Sequence, residues 1–362
     1  MSLVRFEGVS KSYGRLKALD EVSLAVDSSS LTVLCGPPRA GKSVLLRLLV
    51  GLEAPDSGRV LIDERDVTHL PAAARHIGYV PQSFALFPHM SVRDNIAYPL
   101  VQRRVAQSEI DRRLVPVAEM LRIAPLLGKT PSQLSGGEKQ RAAIARGVLQ
   151  EAPVFALDDP LVGLDFKLRE SLMDELRDMQ TALGATFLYA TSDPLEALTM
   201  AERLAVLDAG RLVETGEVLT LYHEPSQLRS AELIGFPRCN RLPGHVSQGR
   251  CRTPLGELTV ELPDGEVAVL VRPEHVGLGD GADEAGLLRL RARIGLMEHL
   301  GAECVLHLQA AGAGLVAVPA TDQVAGLAAG DEIALAIATR HLMLFDPVSG
   351  QRLAATRVAA YA

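Results

Sequence analysis

Residues 36–43 combine two glycines with a lysine and a serine at the spacing of a phosphate-binding loop. The segment reads Gly36-Pro37-Pro38-Arg39-Ala40-Gly41-Lys42-Ser43. It follows a short apolar run, Leu31–Cys35, and leads into a helical pattern, Ser43–Leu49. In a strand–loop–helix setting, glycines let backbone N–H groups surround phosphate oxygens, and the start of the helix attracts negative charge. A chance glycine-rich turn needs no such setting. The segment therefore predicts nucleotide binding, with Lys42 at the β- and γ-phosphates and Ser43 on Mg²⁺.

Two further segments carry groups that suit phosphate chemistry. The apolar run Val154–Leu157 ends in two carboxylates, Asp158 and Asp159. Ser135-Gly136-Gly137 precedes a helical pattern, and such a helix start either binds an anion or only caps the helix. Taken alone, the residues leave both interpretations of this helix start open.

The elements that must position these groups alternate between strand and helix in the first part of the chain. Short apolar runs are separated by helical patterns, and the runs are Leu31–Cys35, Val154–Leu157, Thr186–Ala190 and Leu204–Leu207. The alternation predicts an α/β domain with a largely parallel sheet covered on both faces. From about residue 88 to 150 the pattern is mainly helical, and Ser91 and Ser108 are expected N-caps because Asp94 and Asp111 follow three residues later.

The sequence pattern changes after about Gly235. Prolines punctuate short β-rich runs, which are Glu266–Arg272, Arg289–Gly295 and Glu332–Thr339. This pattern predicts a small all-β domain, of the oligonucleotide/oligosaccharide-binding (OB) type. We therefore expect two domains, residues 1–236 and 237–362, with a helical subdomain at about 88–150 in the first.

Composition excludes several classes of function. The net charge is −7, Trp is absent and aromatic residues make up 4% of the chain, which argues against a general nucleic-acid binder. No apolar run reaches the eighteen or so residues needed to cross a bilayer. The four cysteines show no close pairing and no metal-ligand spacing. We expect a cytoplasmic chain whose membrane role depends on a partner.

The segment from Leu134 to Arg141, Leu-Ser-Gly-Gly-Glu-Lys-Gln-Arg, resembles the signature motif of ATP-binding-cassette (ABC) ATPases, although the family usually has Gln where this chain has Glu138. Other matching segments follow in the family's order. They are Tyr13, the phosphate-binding loop, Gln82, the signature, Val154–Asp159 and Leu164-Asp165. The resemblance implies a P-loop ATPase domain of the ABC type.

The resemblance also implies a role for each matching residue. Tyr13 stacks on the adenine of ATP, and Ser43, Gln82 and Asp158 hold Mg²⁺. The phosphate-binding positions are Gly36, Pro37, Arg39, Ala40, Gly41, Lys42, Ser43 and Val44. ABC sites are composite, so the signature contacts, in trans, the nucleotide held by another subunit. Its residues are Ser135, Gly136, Gly137 and Glu138.

Near the second domain, Ile234–Gly244 and Val271–His275 resemble the regulatory β-domain of maltose-importer-type ATPases. That resemblance implies import of a carbohydrate, a polyol or a related solute. It also implies two membrane-spanning permease subunits, a second ABC ATPase and an extracytoplasmic solute-binding protein. The chain would then lie peripherally on the cytoplasmic face of the plasma (inner) membrane.

Two departures from the family pattern affect catalysis. Asp159 stands where the family has the glutamate that polarises the attacking water, and Ser192 stands where it has a histidine. A misplacement of about 1 Å can cost roughly a hundredfold in rate, and a serine carries no imidazole charge. A third departure, Val162 where relatives commonly have Ser, is as well explained by neutral drift. We therefore predict weak hydrolysis at this chain's own site and a heterodimer with a second, catalytically complete ATPase.

Two other functions remain open at this point. A non-hydrolysing, nucleotide-binding regulatory subunit would also tolerate Asp159 and Ser192. A soluble ABC ATPase of DNA repair or translation fits less well, because no coiled-coil insertion and no second cassette is visible in the sequence.

Overall fold

The computed structural model describes residues 2–150, 152–279, 286–353 and 358–360. The chain divides into two compact units, Met1–Val218 and Leu219–Ala362. In the described ranges, no helix combines the length and the apolar character that crossing a membrane requires.

The first unit contains strands β1 to β10 and helices α1 to α6. The strands are β1 (Ser2–Tyr13), β2 (Leu16–Asp27), β3 (Leu31–Cys35), β4 (Ser57–Ile62), β5 (Arg65–Asp66), β6 (Ile77–Val80), β7 (Val154–Asp158), β8 (Thr186–Thr191), β9 (Arg203–Asp208) and β10 (Arg211–Glu217). The helices are α1 (Lys42–Val50), α2 (Val92–Gln102), α3 (Gln107–Met120), α4 (Gly136–Val148), α5 (Phe166–Leu183) and α6 (Pro194–Met200).

The predicted parallel sheet is confirmed, and its order is β10-β9-β3-β8-β7-β6. Strands β6, β7, β8, β3 and β9 pair in parallel, whereas β10 pairs antiparallel with β9. The apolar runs predicted as strands form β3, β7, β8 and β9. Since the strands run in one direction, the loops that follow them meet at one edge of the sheet, where α/β proteins bind their ligands.

A second sheet, of order β2-β1-β4-β5, is antiparallel and was not predicted. Helix α1 packs against both sheets, because Leu45 and Leu49 are fully buried in one core with Phe6 of β1 and Leu188 of β8. Each fully buried leucine contributes about 1.5–3 kcal/mol relative to exposure. The helix that begins the phosphate-binding site is therefore held firmly in place.

The region of residues 88–150 is helical as predicted. Ser91 caps α2, and its Oγ accepts a hydrogen bond from the Asp94 N–H at 3.0 Å. The predicted cap at Ser108 is wrong, because α3 begins at Gln107 after Ala106, which leaves Ser108 inside the helix.

In the second unit, the described residues form two short helices and two antiparallel sheets. The helices are α7 (Val218–His223), which begins at the boundary, and α8 (Leu228–Leu233). The strands are β11 (Asn240–Ser247), β12 (Arg250–Thr253), β13 (Gly256–Val260), β14 (Gly265–Val271), β15 (Val276–Leu278), β16 (Leu287–His299), β17 (Cys304–Ala310), β18 (Ala313–Ala317), β19 (Glu332–Ala338), β20 (Met343–Phe345) and β21 (Val358–Ala360). Their orders are β20-β14-β11-β12-β13-β21 and β15-β19-β16-β17-β18. The sheets share one hydrophobic core, as expected for a small OB-like β-domain.

The predicted domain boundary, between residues 236 and 237, lies inside this second unit. Leu228 and Ala231 of α8 are buried with Leu270 of β14 and Phe345 of β20. Arg272 donates to the carbonyl of Ile234 at 2.8 Å. The segment before residue 237 therefore belongs to the β-domain by its packing, although its sequence is helical.

Candidate functional site

The carboxyl edge of the parallel sheet brings the predicted phosphate-site residues together. The phosphate-binding loop follows β3, Gln82 follows β6, Asp158 ends β7 and Ser192 follows β8. Register pairs Val80 with Leu157 and Asp158 with Ala190, so these strand ends are neighbours. Gln82 itself is exposed.

The two loop glycines are required by the local backbone. A Cβ at Gly36 would lie 2.1 Å from the carbonyl oxygen of Leu207, a distance that no side chain tolerates. Gly41 is the N-cap of α1 with φ of 104°, a left-handed conformation that favours glycine, and it offers no side-chain acceptor. The first turn of α1 also holds no acidic residue. The helix start is therefore suited to a phosphate group.

Lys42 lies along the loop that it follows. Its Nζ donates to the carbonyl of Gly36 at 2.7 Å and to that of Pro37 at 3.1 Å. The residue is only 5% exposed. Burial lowers the pKa of Lys42, and the nearby Asp159 carboxylate opposes that shift. Burial removes water from the Lys42 ammonium group, and the oxygens of a bound polyphosphate would take the place of that water.

Ser43 and Asp158 bring two side-chain oxygens together at the start of α1 and the end of β7. Ser43 Oγ donates to Asp158 Oδ1 at 2.7 Å. Burial raises the pKa of Asp158, and the Asp159 carboxylate raises it further. A hydroxyl beside a buried carboxylate fits Mg²⁺, which prefers oxygen and commonly takes one or two protein ligands with water and phosphates.

Asp159 and Ser192 are brought together by the neighbouring strands. Asp159 has a left-handed backbone, with φ of 44°, and its Oδ1 accepts the Ser192 backbone N–H at 3.1 Å. Burial raises the pKa of Asp159, and Lys42 opposes the shift. The carboxylate is thus held by the backbone of the loop that follows β8.

A buried network behind Ser192 was not predicted. The hydroxyls of Thr191 and Tyr189 donate to Glu196 Oε2 at 2.7 and 2.9 Å. Arg169 of α5 binds Asp193 at 2.7 Å. This network fixes the end of β8 and the start of α6, and with them the N–H group that holds Asp159.

Tyr13 lies at the end of β1 and is linked to α1. Its hydroxyl donates to Glu53, and Glu53 Oε1 accepts from Arg47 Nε at 2.6 Å. The tyrosine is 42% exposed, which leaves ring surface for stacking. Glu53 and Arg47 were not predicted, since neither belongs to a recognisable motif.

The signature residues lie at the N-terminus of α4. Ser135 and Glu138 form a capping box, in which Glu138 Oε2 accepts the Ser135 N–H at 2.8 Å and Ser135 Oγ accepts the Glu138 N–H. The described hydrogen bonds of their side chains join the two residues to each other rather than to the phosphate-binding loop.

The two signature glycines have different surroundings. A Cβ at Gly137 would lie 2.2 Å from Leu168 Cδ2, whereas one at Gly136 would meet no atom of the described residues within 4 Å. The packing of this chain therefore explains Gly137 but not Gly136. Nearby, Asp165 caps α5 and accepts the Leu168 N–H at 3.0 Å.

Two known protein families match separate segments of the chain. The model of the ABC transporter family matches residues 19–162, and the model of the TOBE domain matches residues 269–345. The family matches therefore include the phosphate-binding loop, the signature and both aspartates.

Full-length relatives are similar along almost the whole chain. The sn-glycerol-3-phosphate import ATP-binding protein UgpC of Ruegeria pomeroyi is 37% identical over 356 residues, which is 98% of this chain and 100% of that protein. The protein of the same name from Rhizobium meliloti is 39% identical over 308 residues, covering 85% and 87% of the two chains.

Solved structures show the same fold over 59–64% of this chain. The dimeric ATP-binding cassette MJ0796 in a post-hydrolysis state with ADP and phosphate is 29% identical, with a TM-score of 0.55, over 59% of this chain and 98% of that one. The CbiO1 protein of Clostridium perfringens, part of a CbiONQ transporter complex, is 27% identical, with a TM-score of 0.57, over 64% and 95%.

Proposed function

The chain belongs to the ATP-binding subunits of ABC importers, and from this premise we propose that it binds Mg-ATP firmly but hydrolyses it slowly at its own phosphate site. On this proposal a second, related ATPase subunit supplies the faster site of the pair. The two subunits energise one importer from the cytoplasmic face of the plasma membrane.

The single observation that supports slow hydrolysis is the Asp159–Ser192 pair. Asp159 is one methylene shorter than the family's glutamate, and its Oδ1 is held 3.1 Å from the Ser192 N–H. A general base must come within about 2.6–3.2 Å of the group whose proton it takes. A carboxylate displaced by about 1 Å loses roughly a hundredfold in rate. Ser192 has no cationic form to balance charge on the γ-phosphate.

ATP binding, in contrast, depends on groups that this chain retains. The first turn of α1 holds no acidic side chain that would compete for its N–H groups, so these groups are suited to donate to phosphate oxygens. Lys42 brings a buried positive charge to the same place. The exposed ring surface of Tyr13 provides a platform on which adenine stacks.

The Ser43–Asp158 pair is the proposed Mg²⁺ site, joined by Gln82 when nucleotide binds. A bound Mg²⁺ would neutralise charge on the β- and γ-phosphates. The residues of this chain hold and orient the nucleotide, and Asp158 must be ionised to bind Mg²⁺.

The open space at Gly136 supports a composite site. Ser135 and Gly136 are exposed at the start of α4, and no contact with the described part of the chain requires glycine at 136. We infer that this helix start faces the γ-phosphate of ATP held by the second subunit. This chain would thus complete the hydrolysing site of the second subunit, while its own phosphate site mainly binds ATP.

An apolar groove near Gln82 is the proposed contact with the two permease subunits. Leu52, Tyr79, Pro81, Phe87, Tyr98 and Arg146 line it. Phe87 and Tyr98 pack with ring centroids 4.7 Å apart, and Arg146 donates to the carbonyl of Phe84 at 2.7 Å. A preformed apolar groove suits a short helical segment of a membrane subunit, and an extracytoplasmic binding protein would deliver solute to those subunits.

For the solute we propose a phosphorylated polyol or sugar, with sn-glycerol-3-phosphate as the first candidate. Both UgpC proteins carry that solute in their names. Deletion of this chain should abolish uptake of labelled sn-glycerol-3-phosphate, and the wild-type chain but not Lys42→Ala should restore it. Unchanged uptake in the deletion strain would contradict the substrate assignment.

The subunit composition tests the pairing directly. A tagged chain purified from native membranes should bring one different ABC ATPase and two permease subunits in equal amounts. Two copies of this chain with no other ATPase would contradict the heterodimer.

Asp159 and Ser192 also favour a second function, a regulatory subunit that closes on ATP without hydrolysing it. The two functions differ in the measured turnover. A complex that imports solute while this chain's own nucleotide stays unhydrolysed over many cycles would favour the regulatory subunit.

A further inference from the structure

Tyr13 is tied to the phosphate-binding helix through two side chains, a set that we call the Tyr13 triad (Tyr13, Glu53 and Arg47). The phenol hydroxyl donates to Glu53 Oε2. Glu53 Oε1 in turn accepts from Arg47 Nε at 2.6 Å. Arg47 lies on α1, the helix that begins at Lys42. The triad therefore joins the end of β1 to the helix that presents the phosphate-binding loop.

The backbone holds Glu53 in the same place. Three successive N–H groups, of Gly51, Leu52 and Glu53, point to the carbonyl oxygen of Arg47 at 3.1, 3.0 and 3.4 Å. The chain therefore wraps around the end of α1 and returns the Glu53 side chain to the Arg47 side chain. Both side chains are partly shielded from solvent, with 25% and 35% exposed.

Lys11 of β1 also contacts the segment that carries Glu53. Lys11 Nζ donates to the carbonyl of Ala54 at 2.8 Å and lies 5.8 Å from the centroid of the Tyr13 ring. Burial, followed by the hydrogen bond to Glu53, raises the pKa of Tyr13. The hydroxyl thus remains a donor at neutral pH, as the triad requires.

We propose that Glu53 is a positioning residue for ATP, which fixes the Tyr13 ring relative to the phosphate-binding loop. The inference rests on the proposed role of Tyr13 as the adenine platform. With the ring already ordered, the base and the phosphates bind to one rigid unit, and less side-chain freedom is lost on binding. The triad contributes to the affinity for ATP and leaves the affinity for a bare polyphosphate unchanged.

A purely structural surface ion pair would behave differently. It would alter the stability of the chain, or the position of α1, and so change ATP and polyphosphate binding together. Removing the Tyr13 hydroxyl would then have no effect on ligand binding. The two explanations are distinguished by comparing the affinity for ATP with the affinity for a polyphosphate that has no adenine.

The experiment measures the Kd of the full-length chain for Mg-ATP and for inorganic tripolyphosphate by titration calorimetry. Tyr13→Phe and Glu53→Ala should each weaken ATP binding about fivefold, the ratio that corresponds to about 1 kcal/mol of side-chain ordering. Tripolyphosphate binding should stay unchanged. The double variant should lose no more than either single variant, because both remove one interaction. Glu53→Gln, which keeps the acceptor, should retain most of the affinity.

Glu64→Gln is the matched control, because Glu64 makes a comparable pair with Arg5 of β1, at 2.9 and 3.1 Å. It should bind both ligands like the wild type. Wild-type ATP affinity in Tyr13→Phe, additive losses in the double variant, or equal losses for tripolyphosphate would overturn the inference. If Tyr13→Ala also binds ATP normally, the adenine platform itself is wrong, and that failure belongs to the proposed function.

Discussion

Alanine at Gly136 and at Gly137 should damage the protein in two different ways, although the residues are adjacent. A Cβ at Gly137 would lie 2.2 Å from Leu168 Cδ2, where carbon atoms normally keep about 3.5–4.0 Å. Overpacking of this kind costs roughly 1–3 kcal/mol. Because Leu168 is only partly buried and can move, we expect a loss of about 1–2 kcal/mol in the free energy of unfolding.

Gly136→Ala should instead leave the fold intact. Its Cβ would meet no described atom within 4 Å, and alanine in a helix is more favourable than glycine by about 0.5–1 kcal/mol, less at a terminus. On the proposed composite site, however, the added methyl group would stand where the γ-phosphate of the second subunit's ATP approaches. We expect ATP hydrolysis by the assembled transporter to fall roughly ten- to a hundredfold.

Urea denaturation of the isolated chain and ATPase assays of the complex measure the two effects. The prediction is normal stability with impaired turnover for Gly136→Ala, and reduced stability for Gly137→Ala. If Gly136→Ala unfolds as easily as Gly137→Ala, the packing argument is refuted. If its complex hydrolyses ATP at the wild-type rate, the composite use of this helix start is refuted.

Three further predictions concern the nucleotide site. Lys42→Ala should weaken ATP binding roughly a hundredfold, because it removes the charge that the loop presents; calorimetry measures the loss. Asp158→Asn should raise the melting temperature of the nucleotide-free chain by a few degrees, corresponding to about 1 kcal/mol, because burial disfavours the ionised carboxylate; it should also abolish the effect of Mg²⁺ on ATP affinity. The pKa of Asp158 is raised above 3.8, so acidification should protonate it earlier than an exposed aspartate. The gain in ATP affinity from Mg²⁺ should therefore shrink as pH falls, and a gain independent of pH would contradict this.

Much of the parallel sheet was predictable because its strands are short, apolar and fully buried. Leu31–Cys35 and Val154–Asp158 are buried at every position, and such runs are visible without partners. The antiparallel sheet was not predicted. Strand β1 pairs with β2 through several register shifts, including one between Phe6 and Val9, which interrupt the alternation of apolar and polar residues by which strands are recognised.

The domain boundary shows what sequence patterns do not contain. Helix α8 resembles a continuation of the α/β pattern, and its contacts with β14 and β20 assign it to the second unit. Ser108 likewise had the spacing of a cap, but α3 begins one residue before it. Local patterns constrain such boundaries to within a few residues or one element, and packing decides the rest.

In the functional site, motifs identified the residues that would touch the nucleotide but not those that hold them. Lys42 and Ser43 follow from spacing alone. Glu53 and Glu196 belong to no pattern of the kind that predicts function, and their roles come from contacts with Tyr13 and Thr191. Gly136 and Gly137 are the same residue type, so the sequence does not show that Gly137 is packed against Leu168 while Gly136 is open.

The central claim is that this chain binds ATP but lacks the local geometry to hydrolyse it quickly. The direct test is single-turnover hydrolysis of Mg-ATP by the wild type and by an Asp159→Glu, Ser192→His double variant, with Kd measured for both. We predict similar affinities and a rate roughly a hundredfold higher in the double variant. A wild-type chain that hydrolyses ATP readily, or a double variant as slow as the wild type, would contradict the account.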